Sequence, residues 1–197
     1  GNFARLSEIG AVMQGLAYDR DTVGPQGSPG VLWGVSSAGL LYRIDPAGGQ
    51  SFGTPVQLHG LTGVVNGLAF DPESQTLFGI MQANGQLVHN DRDSGELLPI
   101  GLPAGGSVGG IDFDADQRVL YGIDDATGGS RLIHIDTEDG TQSVVGPLGA
   151  GATDCNGLAW SAADGELYTV NAANEQLLRV NKDSGAATSS GPPAGSL

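Results

Sequence analysis

Hydrophobic positions along this chain fall in short runs of four or five residues, separated by turn residues, and the runs recur in a fixed order. The opening run Gly-Leu-Ala-Tyr-Asp at 15–19 returns as Gly-Leu-Ala-Phe-Asp at 67–71, Gly-Ile-Asp-Phe-Asp at 110–114 and Gly-Leu-Ala-Trp-Ser at 157–161. A second run follows each opening, with an aromatic at Trp33, Phe78, Tyr121 and Tyr168 and a small residue after it, at Gly34, Gly79, Gly122 and Thr169. Its apolar residues run on without alternation, which predicts strands covered on both faces. A third run, at 41–44, 87–90, 132–135 and 177–180, ends beside an Asx residue with glycine four positions later. The pairs are Asp45 and Gly49, Asp91 and Gly95, Asp136 and Gly140, and Asn181 and Gly185. An Asx side chain bonds nearby backbone N–H groups and glycine takes the positive-φ position, so each pair predicts a hairpin turn.

The openings are spaced by 52, 43 and 47 residues. The first spacing is long because residues 20–30 carry a Gly/Pro-rich insertion. A period in the forties is that of one blade of a β-propeller. The expected fold is therefore all-β: one domain over 1–197, a β-propeller of four four-stranded antiparallel blades, with units near 15–58, 67–102, 110–148 and 157–185. Fourth-strand signatures end at Ile100-Gly101 and Val145-Gly146, whereas residues 186–191 of the last unit lack apolar residues. Residues 3–10 carry the fourth-strand pattern ahead of any first strand. The expectation is that this N-terminal strand completes the last blade, closing the ring and leaving the tail from residue 186 spare.

Composition leaves the order of the chain open and periodicity settles it, since Gly is 34 and Pro 10 of 197 residues. Charge is more decisive. The net charge is −14 and Lys182 is the single lysine, so no basic patch is available for nucleic acid or an anionic membrane surface. No apolar run is long enough to span a bilayer as a helix. Cys155 is alone, which excludes an internal disulfide and a cysteine-based zinc site. An acidic surface nearly free of lysine suits a salty or an exported setting, and the expectation is an extracellular or periplasmic protein.

Two repeat positions vary chemically around the ring and are the candidate ligand positions. Ahead of the opening glycines stand Gln14, Asn66, Gly109 and Asn156; after the second runs stand Ser36, Met81, Asp124 and Asn171. With Asp154 in the adjoining loop, Gln14, Asn66, Asp124, Asp154, Asn156 and Asn171 form the candidate ligand-binding set, on the face holding the loops into each first strand. The stretch Asp112-Phe113-Asp114-Ala115-Asp116 is no calcium hand, because Gln117 stands where glycine and Ile123 where glutamate is needed. His89 and His134 share a register with Arg43 and Arg179, which reads as a half-exposed strand position. No nucleophile elbow or phosphate-binding loop is present.

The openings at 66–72 and 156–161, each followed by a Leu-aromatic strand, resemble the regucalcin/gluconolactonase propellers. That resemblance implies a metal-dependent lactonase-like hydrolase in which Asn66, Asn156 and Asp124 hold one divalent cation such as calcium; Asn171 stands where a further acid would help. The whole repeat more closely resembles exported bacterial YVTN-like propeller repeats, which implies the fold rather than an activity. The leading expectation is a non-enzymatic binding module of an exported bacterial protein, without a cofactor, taking a protein or small-molecule ligand as a monomer or homodimer. The alternatives are the hydrolase and a self-assembling half-ring that pairs into an eight-bladed dimer.

Overall fold

The computed structural model describes residues 9–125, 128–149 and 151–191. Sixteen strands make four separate antiparallel sheets, each in simple sequence order. The first blade is β1 (Met13–Asp19), β2 (Val31–Ser36), β3 (Leu40–Ile44) and β4 (Ser51–Gln57). The second is β5 (Val65–Asp71), β6 (Thr76–Met81), β7 (Leu87–Asn90) and β8 (Leu97–Ile100). The third is β9 (Val108–Asp114), β10 (Val119–Asp124), β11 (Arg131–Ile135) and β12 (Gln142–Pro147). The fourth is β13 (Cys155–Ser161), β14 (Glu166–Asn171), β15 (Gln176–Val180) and β16 (Ala187–Ser189). The blades are arranged as a four-bladed β-propeller. The inner strands β1, β5, β9 and β13 pack in succession.

The hairpins between third and fourth strands form as the Asx–Gly spacing predicts. Gly95, Gly140 and Gly185 have φ of 83°, 73° and 76°. Their N–H groups donate to Asp91, Asp136 and Asn181 carbonyls at 2.9, 2.9 and 2.8 Å. The Asx side chains also accept: Asn181 Oδ1 takes the N–H of Asp183 at 3.0 Å and of Ser184 at 2.9 Å. These glycines have a second role. A Cβ at Gly140 would sit 2.5 Å from the Ile100 carbonyl oxygen of the preceding blade, and one at Gly95 2.2 Å from that of Gln57. The turn of one blade thus rests directly on the outer strand of the blade before it.

Buried apolar residues form three clusters, and each cluster is one junction between blades. Trp33, Val35 and Leu41 face Leu68, Phe70, Leu77 and Val88. Phe78, Ile80 and Leu87 face Ile111, Phe113, Leu120 and Ile133. Tyr121, Ile123 and Leu132 face Leu167, Leu178, Val180 and Ala187. Every blade therefore has a forward and a backward apolar face, which explains the unbroken apolar runs.

At the far end of the inner strands each junction also carries an ion pair. Asp19 meets Arg92 at 3.0 Å, Asp71 meets Arg118 at 3.7 Å and Asp114 meets Lys182 at 2.9 Å. In each case the cation comes from the following blade. Arg92 also lies over the rings of Trp33 and Phe70, and Lys182 over that of Trp160. The fourth blade has Ser161 at this register.

Two expectations need correction. Residues 3–8 lie outside the described residues, but the fourth position of the last blade is filled by β16, which pairs Ala187 with Val180 and Thr188 with Arg179. The tail is not spare. Outer strands lie at the perimeter, where β4 is exposed or half-exposed along its length. Backbone pairing plus one buried small residue, Ala187, suffices there, and the Ala187 N–H also donates to Leu148 of the third blade at 2.9 Å. Second, the three junctions have no fourth counterpart. β13 does not pack against β1 as the other inner strands pack on one another, so among the described residues the ring stays open between the last blade and the first.

The Asp19 carboxylate is fully buried and accepts from Asp21 and Thr22 N–H and from Trp33 Nε1 as well as from Arg92. Burial alone would raise its pKa; the bonds from Thr22, Trp33 and Asp21 outweigh that and hold it below the ordinary carboxylate range. Its stabilisation is therefore present above the unfolded value of about 4 and lost as pH falls through the lowered folded value. Asp19→Ala should cost about 2–4 kcal/mol at pH 7, read by urea unfolding, with the deficit shrinking below pH ~4. Gly140→Ala should cost at least ~1–2 kcal/mol through positive φ alone, with more from the contact on Ile100. An unchanged unfolding midpoint would contradict turn-on-strand seating.

Candidate functional site

The inner strands are sheet edges, so their outer backbone groups need partners that the blade itself does not supply. Side chains of neighbouring blades supply several. Asn66 Nδ2 donates to the carbonyls of Val108 and Gly109 at 3.3 and 3.2 Å, linking β5 to β9. Asp112 Oδ2 accepts the N–H of Trp160 at 2.6 Å, linking β9 to β13, while its Oδ1 accepts the N–H of Phe113 at 2.8 Å.

Asp112 lies on the wall of a cavity of about 490 Å³ formed by the C-terminal halves of the four inner strands. Leu16, Tyr18, Phe70, Phe113, Leu158 and Trp160 are the large apolar residues of the inner strands in its lining. Burial pushes the Asp112 carboxyl up to about 6, and the two backbone N–H bonds only partly offset this. Trp160 Nε1 is buried without a hydrogen-bond partner among the described residues. Arg20 is the one cationic residue of the lining. The lining thus combines aromatic surface, one carboxylate of raised pKa and an unpaired indole donor. Among the lining residues no second carboxylate, histidine, serine or cysteine stands ready to work with Asp112 as a general acid–base or nucleophilic pair.

This cavity lies at the opposite end of the inner strands from the face chosen on sequence grounds. Gln14 is half-buried near the start of β1 and Asn66 is tied to β9. Asp124 is buried at the end of β10, where its Oδ2 accepts from Arg131 Nε at 2.8 Å and pairs with Nη2 at 2.6 Å. Its Oδ1 is buried without a partner among the described residues. Asn171 is buried in the equivalent place, donating to the Gly151 carbonyl at 3.3 Å and accepting from the Ala173 N–H at 3.2 Å. Asp154 and Asn156 are brought together, Asn156 Nδ2 donating to Asp154 Oδ1 at 2.9 Å on the exposed surface. Ser36 and Asn171 thus each hold the turn that follows, Ser36 Oγ accepting the Leu40 N–H at 3.2 Å.

Of the three residues that the lactonase resemblance assigns to a divalent cation, Asn66 donates its Nδ2 to the next blade and Asn156 its Nδ2 to Asp154, while Asp124 pairs with the Arg131 guanidinium through Oδ2. Among the described residues no group of three or more His, Cys, Asp or Glu side chains is placed to hold a metal ion. Beside Asp124, burial raises the Asp125 carboxyl, as do the charges of Asp154 and Asp124, while Ser130 Oγ donates to it. Ser130 Oγ in turn accepts the Cys155 N–H at 3.2 Å. Cys155 is a buried thiol whose pKa burial pushes up, an inert structural residue.

Sequence reasoning missed Asp112 by grouping it with Asp114 and Asp116 as a calcium-like run. A sign was nevertheless available. Position 112 holds aspartate where the other three repeats hold Ala17, Ala69 and Ala159. A charged residue at a register that is otherwise alanine faces a different environment or has a different task.

No family model matches the chain, and no curated protein matches it. Solved structures do. A chain of a nidogen/laminin complex matches with a TM-score of 0.69 at 18% identity, over 91% of this chain and 64% of that one. Virginiamycin B lyase from Staphylococcus aureus matches with a TM-score of 0.57 at 18% identity, over 85% of this chain and 53% of that one. Hydrazine synthase of Kuenenia stuttgartiensis matches with a TM-score of 0.57 at 16% identity, over 95% and 50%. This chain therefore spans between half and two thirds of the length of these neighbours. At such identities the likeness is one of β-propeller fold alone.

A carboxyl whose pKa is raised on folding destabilises the native state increasingly as pH climbs from about 4 through 6, then levels off. The stability of the wild type relative to Asp112→Asn should therefore fall by about 1–3 kcal/mol between pH 4 and pH 7.5. Denaturant unfolding of both proteins across that range measures it. A flat difference would show that Asp112 is not held in a low-dielectric site.

Proposed function

We propose that this chain is a non-enzymatic ligand-binding propeller of an exported bacterial protein, and that its ligand enters the cavity beside Asp112. The observation that carries this reading is a lone carboxylate set among aromatic and aliphatic side chains at the inner strands. Apolar pockets with a few placed polar groups are the usual form of small-molecule sites, and a volume of about 490 Å³ lies within their range. The ligand class that fits is a small molecule with an apolar body and a basic or strongly donating group. The body packs against Phe70, Phe113 and Trp160. The donor reaches Asp112, which is largely ionised at pH 7 with a pKa of about 6.

The fold decides nothing between binding and catalysis, since one neighbour was solved in a nidogen/laminin complex and another is a lyase. Binding is favoured because no second carboxylate, histidine, serine or cysteine joins Asp112 in the lining. Export is supported by the charge of −14 and the single lysine.

Phenethylamine and phenylacetate separate the parts of this reading, since they share an apolar body and differ in the charged group. Titration calorimetry at pH 7.5 should give heat for the amine and little for the acid. Asp112→Asn should weaken amine binding at least ~10-fold, about 1.4 kcal/mol. Equal binding of both compounds, or an amine affinity untouched by the substitution, would overturn the assignment.

A further inference from the structure

The three junctions inside the molecule define what a complete blade interface contains, and the first and last blades each carry half of one. On the backward side, Leu68 and Phe70 of the second blade are 1% and 5% exposed; their register mates in the first blade, Leu16 and Tyr18, are 52% and 50% exposed. On the forward side, Ile80 and Ile123 are 0% exposed and so are Leu87 and Leu132, whereas Val170 and Leu177 of the last blade are 45% and 50% exposed. Ala159 is likewise exposed where Ala17 and Ala69 are buried. These residues are not scattered apolar positions on a surface. They fall at the registers that the internal junctions bury wholly or in part.

The two bare faces differ from one another and are complementary in kind. One is the backward half and the other the forward half of an interface that this chain already builds three times. We propose that a second copy of this chain covers both: the last blade of each copy packs its forward face on the first blade of the other. Both junctions are then head-to-tail, and a two-fold rotation closes them. The internal interface between consecutive blades would simply continue across the two copies. Ser161 stands where Asp19, Asp71 and Asp114 accept a cation from the following blade. The junction between copies therefore lacks the buried ion pair of the internal ones and, being intermolecular, forms in a concentration-dependent way. Leu16 and Tyr18 also line the open side of the Asp112 cavity, so pairing would enclose the channel further. The pairing itself does not rest on the ligand reading.

Native mass spectrometry and sedimentation velocity across ~1–100 μM test it. A species of twice 19.9 kDa should grow with concentration. Leu16→Asp and Val170→Asp place a charge on one face each, at positions half-exposed in the single chain. Each should raise the dimer dissociation constant at least ~10-fold while leaving the melting temperature of the monomer within a few degrees. An equimolar mixture of the two variants retains one intact junction and should recover a heterodimer weaker than the wild type. Three results would overturn the proposal: a wild type that stays monomeric throughout, a dimer indifferent to both substitutions, or a ladder of longer species in place of a dimer. Because the readout is mass, failure here leaves the Asp112 reading standing, and failure of amine binding leaves this one standing.

Discussion

The structure depends on sheets that are apolar on both faces. A blade such as the second, which carries Leu68, Leu77 and Val88 toward the first blade and Phe78, Ile80 and Leu87 toward the third, cannot exist alone in water. Its stability is that of its junctions. Among the described residues each blade packs chiefly on its immediate neighbours, so the chain behaves as a quasi-one-dimensional array in which the middle blades are held on two sides and the terminal ones on one. The ion pairs at the ends of the inner strands follow the same linear logic, each cation reaching back one blade.

That constraint also explains where chemistry can sit. Faces between blades are filled with side chains, and outer strands are thin and exposed. What remains is the inner edge, where backbone groups lack partners and side chains must answer them. Asn66 and Asp112 do so in opposite senses, one donating to carbonyls and the other accepting an N–H. The same geometry that requires Asp112 as a link between β9 and β13 places its carboxylate against aromatic walls, where burial raises its pKa.

Much of the fold was legible because structural positions repeat. The aromatic at 33, 78, 121 and 168 and the Asx–Gly offset recur unchanged, and periodicity is a direct imprint of packing. The last outer strand was illegible for the opposite reason. Residues 187–189 pair through backbone with one small buried side chain, Ala187, and that leaves almost no side-chain pattern. The open junction could not be seen either, since Leu16 and Val170 are the residue types that a covered face requires. For the site, divergence among repeats is the shared criterion: read at the start of the inner strands it gives Gln14, Asn66 and Asn156, and read toward their far end it gives Asp112. Asp124 and Asn171 vary because each turn is held by different side-chain bonds; Asp112 varies at a position where only alanine otherwise fits.

The position of Lys182 has a practical corollary. It is the sole ε-amine of the chain, and its Nζ is 2.9 Å from the buried Asp114 carboxylate and 4.6 Å from the centre of the Trp160 ring. An acylating reagent competes there with the Asp114 carboxylate and the indole face, so the nitrogen reacts faster when the last blade loosens from the third. The rate of modification at one residue thereby becomes a clock for the opening of one seam, with indole fluorescence from the neighbouring ring as a second hand on the same event.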